Sequence, residues 1–512
     1  MSLYMPKARY REQVIPEYRG NPLIEALPKI WSGETVVELL SAGASHHDGE
    51  RDLDAHYRMH CIQRLFHYFQ PLEQHIDIEQ RISRCIRQGY LNRNPCSREY
   101  ARALAEGYAA RVERSGYQSI QGYRPNASGF TIIGMSGVGK STAVEKILSL
   151  YPQCVSHVRY RKKPLPLTQL VWLKLDCPHD GSVKGLCFQF FEAVDRAIGT
   201  ECFPKYARAR YTVDVLMVLM TRLVNLYQIG ILVIDEIQHL SLAKGGGSEK
   251  MLNFFVTLVN TIGIPVVMIG TTKAMSILQS EFRQARRGSG QGDLLWDRMR
   301  NDASWKLFVE SMWRHQWTKE KIPLTQELID VLYDESQGII DIAVKLYAMV
   351  QIKAIATGKD AFSARDFHAA AAEKLGLVKP MLDALREGDQ KKIKRYGDIS
   401  PVNIEDYLAS YIAFKSPDIP EKEAKKGVSP LEQAVLKLLE LGVEPPKAKR
   451  LAGKALASHK NPVDTAVIVK EAYRFYIMES PQEEADDDNE DLRGQENYED
   501  IKSNGLIEEG EW

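Results

Sequence analysis

The chain has little of what a membrane-spanning or disulfide-stapled protein requires. No stretch of its 512 residues approaches 18 consecutive apolar positions, which excludes a helical membrane span. Its first residues, Met1-Ser-Leu-Tyr-Met-Pro-Lys, lack the apolar core of a signal peptide. Seven cysteines, at 61, 85, 96, 154, 177, 187 and 202, are odd in number and show no C-x-x-C spacing. Reduced thiols in a cytoplasm account for them most simply. Net charge is missing too, with 67 basic against 67 acidic side chains. That balance hides an asymmetry. Residues 479–512 hold 14 acidic and 2 basic residues, which leaves 65 basic against 53 acidic over residues 1–478. A body of net +12 is expected to meet a polyanion, and the acidic end, poor in aromatic and branched residues, is expected to be disordered.

What is present is a loop built for phosphate. Gly134-Met-Ser-Gly-Val-Gly-Lys-Ser-Thr142 fits G-x-x-x-x-G-K-[ST]. The apolar run Gly129–Ile133 before it reads as a buried strand, and Ala143–Leu148 after it as the first turns of a helix. Gly134, Gly137 and Gly139 let the backbone curl, so that N–H groups of Ser136, Val138 and their neighbours face one anion at a helix N-terminus. Lys140 is expected to reach the β- and γ-phosphates of ATP. The Ser141 hydroxyl, with Thr142 beside it, is expected to face Mg²⁺.

About a hundred residues on, Gly230-Ile-Leu-Val-Ile-Asp-Glu reads as a second buried strand ending in two carboxylates. At the carboxyl edge of a parallel sheet, Asp235 would hold the Mg²⁺ shell and Glu236 would orient the attacking water. Leu170–Leu175 and Ile264–Ile269 read as further strands. Helical patterns at Leu186–Ile198, Val213–Tyr227 and Met251–Thr261 lie between them. This alternation predicts a three-layer α/β core around a parallel sheet. Residues 55–69 and onward to about 88 read as helical. His56 and His60 there stand at i and i+4 but lack a third ligand, so core or interfacial roles are expected. From about Leu324 the pattern is wholly helical, notably at Gln326–Asp334 and Ile340–Ala356.

The two motifs, the Thr271–Thr272 pair and the helical segment resemble the AAA+ ATPases. Four runs narrow the resemblance: Cys177–Leu186, Ile234–Leu240, Ser280–Arg287 and Gln337–Leu346 look like the TnsC/TniB family, AAA+ regulators of Tn-seven-like transposition. The resemblance implies an AAA+ P-loop core at 111–315 with a parallel five-stranded sheet and a helical lid at 316–380. It implies a partner-binding region at 1–110 facing a target-selector protein and a helical region at 381–478 facing transposase subunits. It also implies a homo-oligomeric ring or filament on double-stranded DNA, with slow ATP hydrolysis as its timer. Arg283, Arg286 and Arg287 are then candidates for the arginine that enters a neighbour's γ-phosphate site. Thr271 or Thr272 fits the sensor of the attacking water. Lys184, and more weakly Lys273, are the expected DNA contacts. Many AAA+ lids carry an arginine three residues after the lid glycine. Here that residue is Asp341, so Lys345 or a neighbouring subunit substitutes, or turnover is slow. Two other readings remain open: a P-loop scaffold with little hydrolysis, and a small-molecule P-loop kinase.

Overall fold

The computed structural model describes residues 5–41, 47–100, 102, 129–208, 210–242, 254, 264–275, 292–389, 392, 393 and 407. Beyond 407 it describes 431, 434, 435, 437, 438, 443, 445–458 and 465–479. The chain divides into two compact units, residues 1–414 and 415–512. At the centre of the first is a parallel sheet of five strands in the order β4-β5-β6-β1-β7. These are β1 (Phe130–Gly134), β4 (Trp172–Asp176), β5 (Ile231–Asp235), β6 (Val266–Gly270) and β7 (Leu294–Trp296). An antiparallel hairpin of β2 (Cys154–Tyr160) and β3 (Lys163–Leu170) stands apart from it. This is the AAA+ P-loop fold, and the parallel five-stranded sheet agrees with the sequence reading.

Strands β1, β5 and β6 are buried at every position, as expected of apolar runs covered on both faces. The sheet is sealed by two apolar clusters. One holds Leu186, Phe190 and Phe191 with Leu216, Met220 and Val224 against Leu173, Leu232 and Met268. These come from helices Val183–Ile198 and Val213–Leu226, whose N-termini are capped by the hydroxyls of Ser182 and Thr212. The opposite face is covered by Lys140–Ser149 and by the N-terminal helix Glu73–Leu91, whose Ile78, Ile82 and Ile86 are fully buried. The helix anticipated at Met251–Thr261, Phe254 apart, lies outside the described residues, as do the acidic residues after Glu479.

Helices Gln326–Ser336, Ile340–Ala356, Ala364–Lys374 and Lys379–Glu387 form the lid. The N-terminal region packs on lid as well as core, and its apolar side chains belong to the same buried cluster. Arg58 is the main polar link. Its guanidinium donates to the Trp317 carbonyl at 2.9 Å and pairs with Asp360 at 2.5 Å, with only 2% of the arginine side chain exposed. The helix anticipated through Phe69 ends at Ile62, and a 3-10 turn, Gln63–His67, follows. His56 and His60 lie exposed on that helix rather than in the core, and among the described residues no group of three metal-ligating side chains forms. No helix among the described residues is long and apolar enough to cross a membrane. In the second unit, helices Pro445–Ala457 and Thr465–Glu479 pack through Leu451, Ala455, Ile468 and Ala472.

His75 sits in the first turn of helix Glu73–Leu91, buried between Phe69 and Trp296. Its Nδ1 accepts the Leu72 N–H at 2.8 Å. Burial pushes its pKa down to about 4. Below pH 6.5 the unfolded chain takes up a proton that the folded site refuses until about pH 4, so stability falls as pH drops through that window. Between pH 7 and pH 5 the loss is about 2 kcal/mol. A His75→Gln variant keeps an acceptor for Leu72 and is expected to lose less stability than wild type over the same interval, read by thermal melting at the two pH values. Equal losses would show that His75 does not carry the effect.

Candidate functional site

The parallel register brings four strand ends to one edge. Ile133 lies beside Gly270, Ile234 beside Met268, and Asp176 beside Asp235. The phosphate loop, the two carboxylates and the Thr271–Thr272 pair therefore emerge side by side, as open α/β sheets place their ligand sites.

The phosphate loop runs from β1 into helix Lys140–Ser149 through Gly137 at φ 79° and Gly139 at φ 97°. Both values favour glycine. Val138 is buried, whereas Ser136 and Ser141 are partly exposed and Thr142 is exposed. Lys140 is 7% exposed, and its ammonium donates to the carbonyls of Gly134 at 3.0 Å and Met135 at 2.7 Å. The N–H groups of the helix's first turn have no intrahelical acceptor, the arrangement that suits an anion at a helix N-terminus.

The lid closes directly on this loop. The Asp341 N–H donates to the Gly137 carbonyl at 3.0 Å. A Cβ on Gly137 would come within 3.1 Å of Ile339 Cγ2 and 3.3 Å of Asp341 Cβ. Gly137 is thus needed both for its turn and for the lid's approach. Asp341 pairs with Lys345 at 2.7 Å on helix Ile340–Ala356. That helix therefore points its positive N-terminal end at the phosphate loop.

Asp235 is 3% exposed and accepts the Glu236 N–H at 2.8 Å. Glu236 itself adopts φ 56°, a left-handed conformation unusual for a glutamate. Its carboxylate accepts a hydrogen bond from the Gln238 amide nitrogen. The Gln238 amide oxygen accepts the Thr271 N–H at 3.0 Å. The two partners fix the amide's orientation, since a carboxylate needs a donor and an N–H an acceptor. The Thr271 hydroxyl oxygen is buried without a hydrogen-bond partner among the described residues. Thr272 is exposed. Of the two threonines, Thr271 is thus the one joined to Glu236.

Reading the sequence did not single out Gln238 or Lys174. Lys174 lies on the edge strand β4, where alternation puts it opposite Leu173 and Leu175. Its ammonium pairs with Glu145 at 2.9 Å, Asp176 at 3.1 Å and Asp235 at 3.3 Å. Burial alone would lower its pKa, but the hydrogen bond to Glu145 and the charges of Asp235 and Asp176 outweigh burial and raise it. A lysine inside an otherwise apolar strand, W-L-K-L-D, was the signal available.

Lys184 is in the first turn of helix Val183–Ile198, its ammonium 5.8 Å from the Phe188 ring centre. Lys273 is exposed after Thr272. Arg283, Arg286 and Arg287 lie outside the described residues.

A family model for the AAA domain matches residues 124–278, spanning phosphate loop, β5 and Thr271. The chain carries an AAA domain. No curated protein matches it. Among solved structures it is similar to the ORC1 protein of Aeropyrum pernix in complex with DNA, at 14% identity and a TM-score of 0.35, covering 61% of this chain and 81% of that one. It is similar to Cdc6p from Pyrobaculum aerophilum at 12% identity and a TM-score of 0.33, covering 62% and 85%. A Walker-type ATPase of Pyrococcus abyssi follows at 14% and 0.33, covering 64% and 85%. These likenesses are too remote to bear on function.

The residues present suit a magnesium nucleotide. Gly137 and Gly139 hold the positive φ values of the loop's turn, and the Thr271 hydroxyl, without a hydrogen-bond partner among the described residues, is a buried polar group on the residue that Gln238 links to Glu236. Removing Lys174 tests the charge balance of the carboxylate side. Lys174→Met leaves Asp235, Glu145 and Asp176 without their shared cation and is expected to cost about 1–3 kcal/mol. Added Mg²⁺ is expected to raise the melting temperature of the variant more than that of wild type. A variant that melts like wild type at every Mg²⁺ concentration would show that the cluster contributes nothing.

Proposed function

We propose that this protein is a Mg²⁺-dependent ATPase that regulates DNA transposition, assembling on double-stranded DNA and linking a target-selector protein to transposase subunits. The observation that carries the ATPase part is the convergence of Lys140, Asp235, Glu236 and Thr271 at one sheet edge beneath the lid. The transposition part rests on the resemblance to the TnsC/TniB family, and the basic body supports a DNA partner.

In this reading Lys140 exchanges its two loop carbonyls for the β- and γ-phosphates of ATP. Ser141 and Asp235 would hold Mg²⁺, which supplies charge neutralisation at the phosphoryl oxygens when bound. Glu236 orients a water for attack. Gln238, bonded to both Glu236 and the Thr271 backbone, sets where that carboxylate points. Arg283, Arg286 and Arg287 supply the candidates for the arginine that completes a neighbouring subunit's site. Asp341 adds no positive charge and ties up Lys345, which favours slow turnover over that of a motor.

Glu236→Gln is expected to retain ATP binding and to lower hydrolysis by at least about a hundredfold, a typical scale for general-base loss. It should hold the protein on duplex DNA longer in the presence of ATP. Lys140→Ala should lose both nucleotide and nucleotide-dependent DNA binding. Anisotropy of labelled duplex, with ADP and with a non-hydrolysable ATP analogue, reads these outcomes. Residence on DNA unchanged in Glu236→Gln would favour a scaffold that does not use hydrolysis. Turnover of a small-molecule phosphoryl acceptor without any DNA effect would favour the kinase reading.

Gln238→Leu removes both amide bonds without touching the phosphate loop. It is expected to lower the turnover number by about tenfold or more with little change in nucleotide affinity, the pattern of a group acting on transition-state geometry alone. Loss of affinity in proportion to turnover would assign Gln238 a merely structural role.

A further inference from the structure

The hairpin β2–β3 is not used by the nucleotide site, and its tip is strongly charged. Arg159, Arg161, Lys162 and Lys163 occupy four of five consecutive positions, and all are exposed. Arg161 and Lys162 form the two-residue turn at φ 44° and φ 68°. Positive φ at both positions suits Asn-Gly and is strained for residues whose Cβ crowds the following carbonyl oxygen. Two cations are therefore held where glycine or asparagine would cost less, and backbone strain kept in this way points to a function for the turn.

The base of the hairpin is rigid. His157 is buried and hydrogen-bonded on both ring nitrogens, to Tyr10 and Gln169, each at 2.9 Å. The Tyr160 hydroxyl donates to Glu25 at 2.8 Å. The N-terminal segment runs alongside, with Lys7 bridged to Ser156 and the Tyr10 ring 4.9 Å from that of Tyr160. It adds two further exposed cations, Lys7 and Arg9, in the segment beside the hairpin. Among the described residues, Arg161 is the one of these six cations in an ion pair, at 3.4 Å from the buried Glu25.

We infer that this hairpin tip and the adjoining N-terminal segment are a second contact surface for duplex DNA, engaging the phosphate backbone. The inference rests on the DNA-binding part of the proposed function but concerns residues distinct from Lys184 and Lys273. Cations crowded on a rigid, protruding turn with one buried carboxylate among them suit a regular array of phosphates, which sets register and affinity without reading sequence. An acidic protein segment is the competing occupant. It lacks the fixed charge spacing that would repay holding the turn in its strained form.

The test is salt-dependent anisotropy of labelled duplex with the full chain, comparing wild type with Arg159→Gln/Lys162→Gln/Lys163→Gln. Arg161 is kept because it pairs with Glu25. Binding of a fluorescent ATP analogue and the melting temperature serve as folding controls. If the triple variant misfolds, Lys162→Gln/Lys163→Gln confines the change to the turn and its flank. The expected result is intact nucleotide binding with DNA affinity reduced by about tenfold or more. The slope of log affinity against log salt should become shallower by about 0.9 for each phosphate that is no longer neutralised. Unchanged affinity and slope would overturn the hairpin surface and leave the proposed function standing. A variant that binds DNA as wild type does and fails only to bind a polyglutamate peptide would overturn it in the same way. No DNA binding by wild type in any nucleotide state would overturn both.

Discussion

Placement of β1 between β6 and β7 is the constraint on which the site depends. Parallel pairing fixes register along whole strands, so Gly134, Asp235 and Thr271 cannot move independently towards or away from one another. Gly134 shows how tight this is. A Cβ there would meet the Trp296 carbonyl oxygen at 2.0 Å, so the residue that begins the phosphate loop also lets β7 close on β1. The loop is then launched at a fixed angle, and the helix N-terminus that follows it is aimed by the sheet rather than by the loop alone.

The N-terminal region extends this constraint beyond the sheet. Tyr90 donates to the Gln228 carbonyl at 2.8 Å and Arg93 to that of Ile229 at 2.7 Å, both just before β5. The same region grips the lid through Arg58. Removing one partner of so buried an arginine would leave an uncompensated charge, which costs far more than the intact pair contributes. Any displacement of the lid from the phosphate loop must therefore carry Arg58 and Asp360 together, break their contact, or bend the chain between the helices Ala55–Ile62 and Glu73–Leu91. A region expected from sequence to serve partners is also structural, and the two roles are compatible, because a partner holding it would act on core and lid at once.

The legible parts of the sequence were those in which one local pattern decides the outcome. The phosphate loop, the run Ile231–Asp235 and the helix Ile340–Ala356 each combine a strong periodicity or motif with clear punctuation. Hairpin β2–β3 was missed because its pattern is interrupted. A bulge between His157 and Arg159 breaks the alternation, and two prolines, Pro164 and Pro166, sit in β3, tolerable in a two-stranded hairpin where a strand has a free edge. β7 has three residues and owes its existence to pairing with β1. Gln238 and Lys174 were illegible for another reason. Their importance lies in what they touch across the fold, and a single sequence gives the residue without its partner.

These two unforeseen residues bear on how the site would be controlled. Asp235 already has a cation at 3.3 Å, and Glu236 already has a hydrogen-bond donor. Both carboxylates are thus pre-oriented, which lowers the entropy needed to organise them but makes each release a bond before it does anything else. The lid adds the same kind of restraint from above, since the Asp341 N–H holds the helix N-terminus on Gly137, while the Asp341 carboxylate pairs with Lys345 within that helix. The described site is thus restrained at three points, with the acidic Asp341 rather than a cation at the lid position nearest Gly137. In the proposed reading an arginine from a neighbouring subunit would supply the positive charge, which would make hydrolysis depend on assembly.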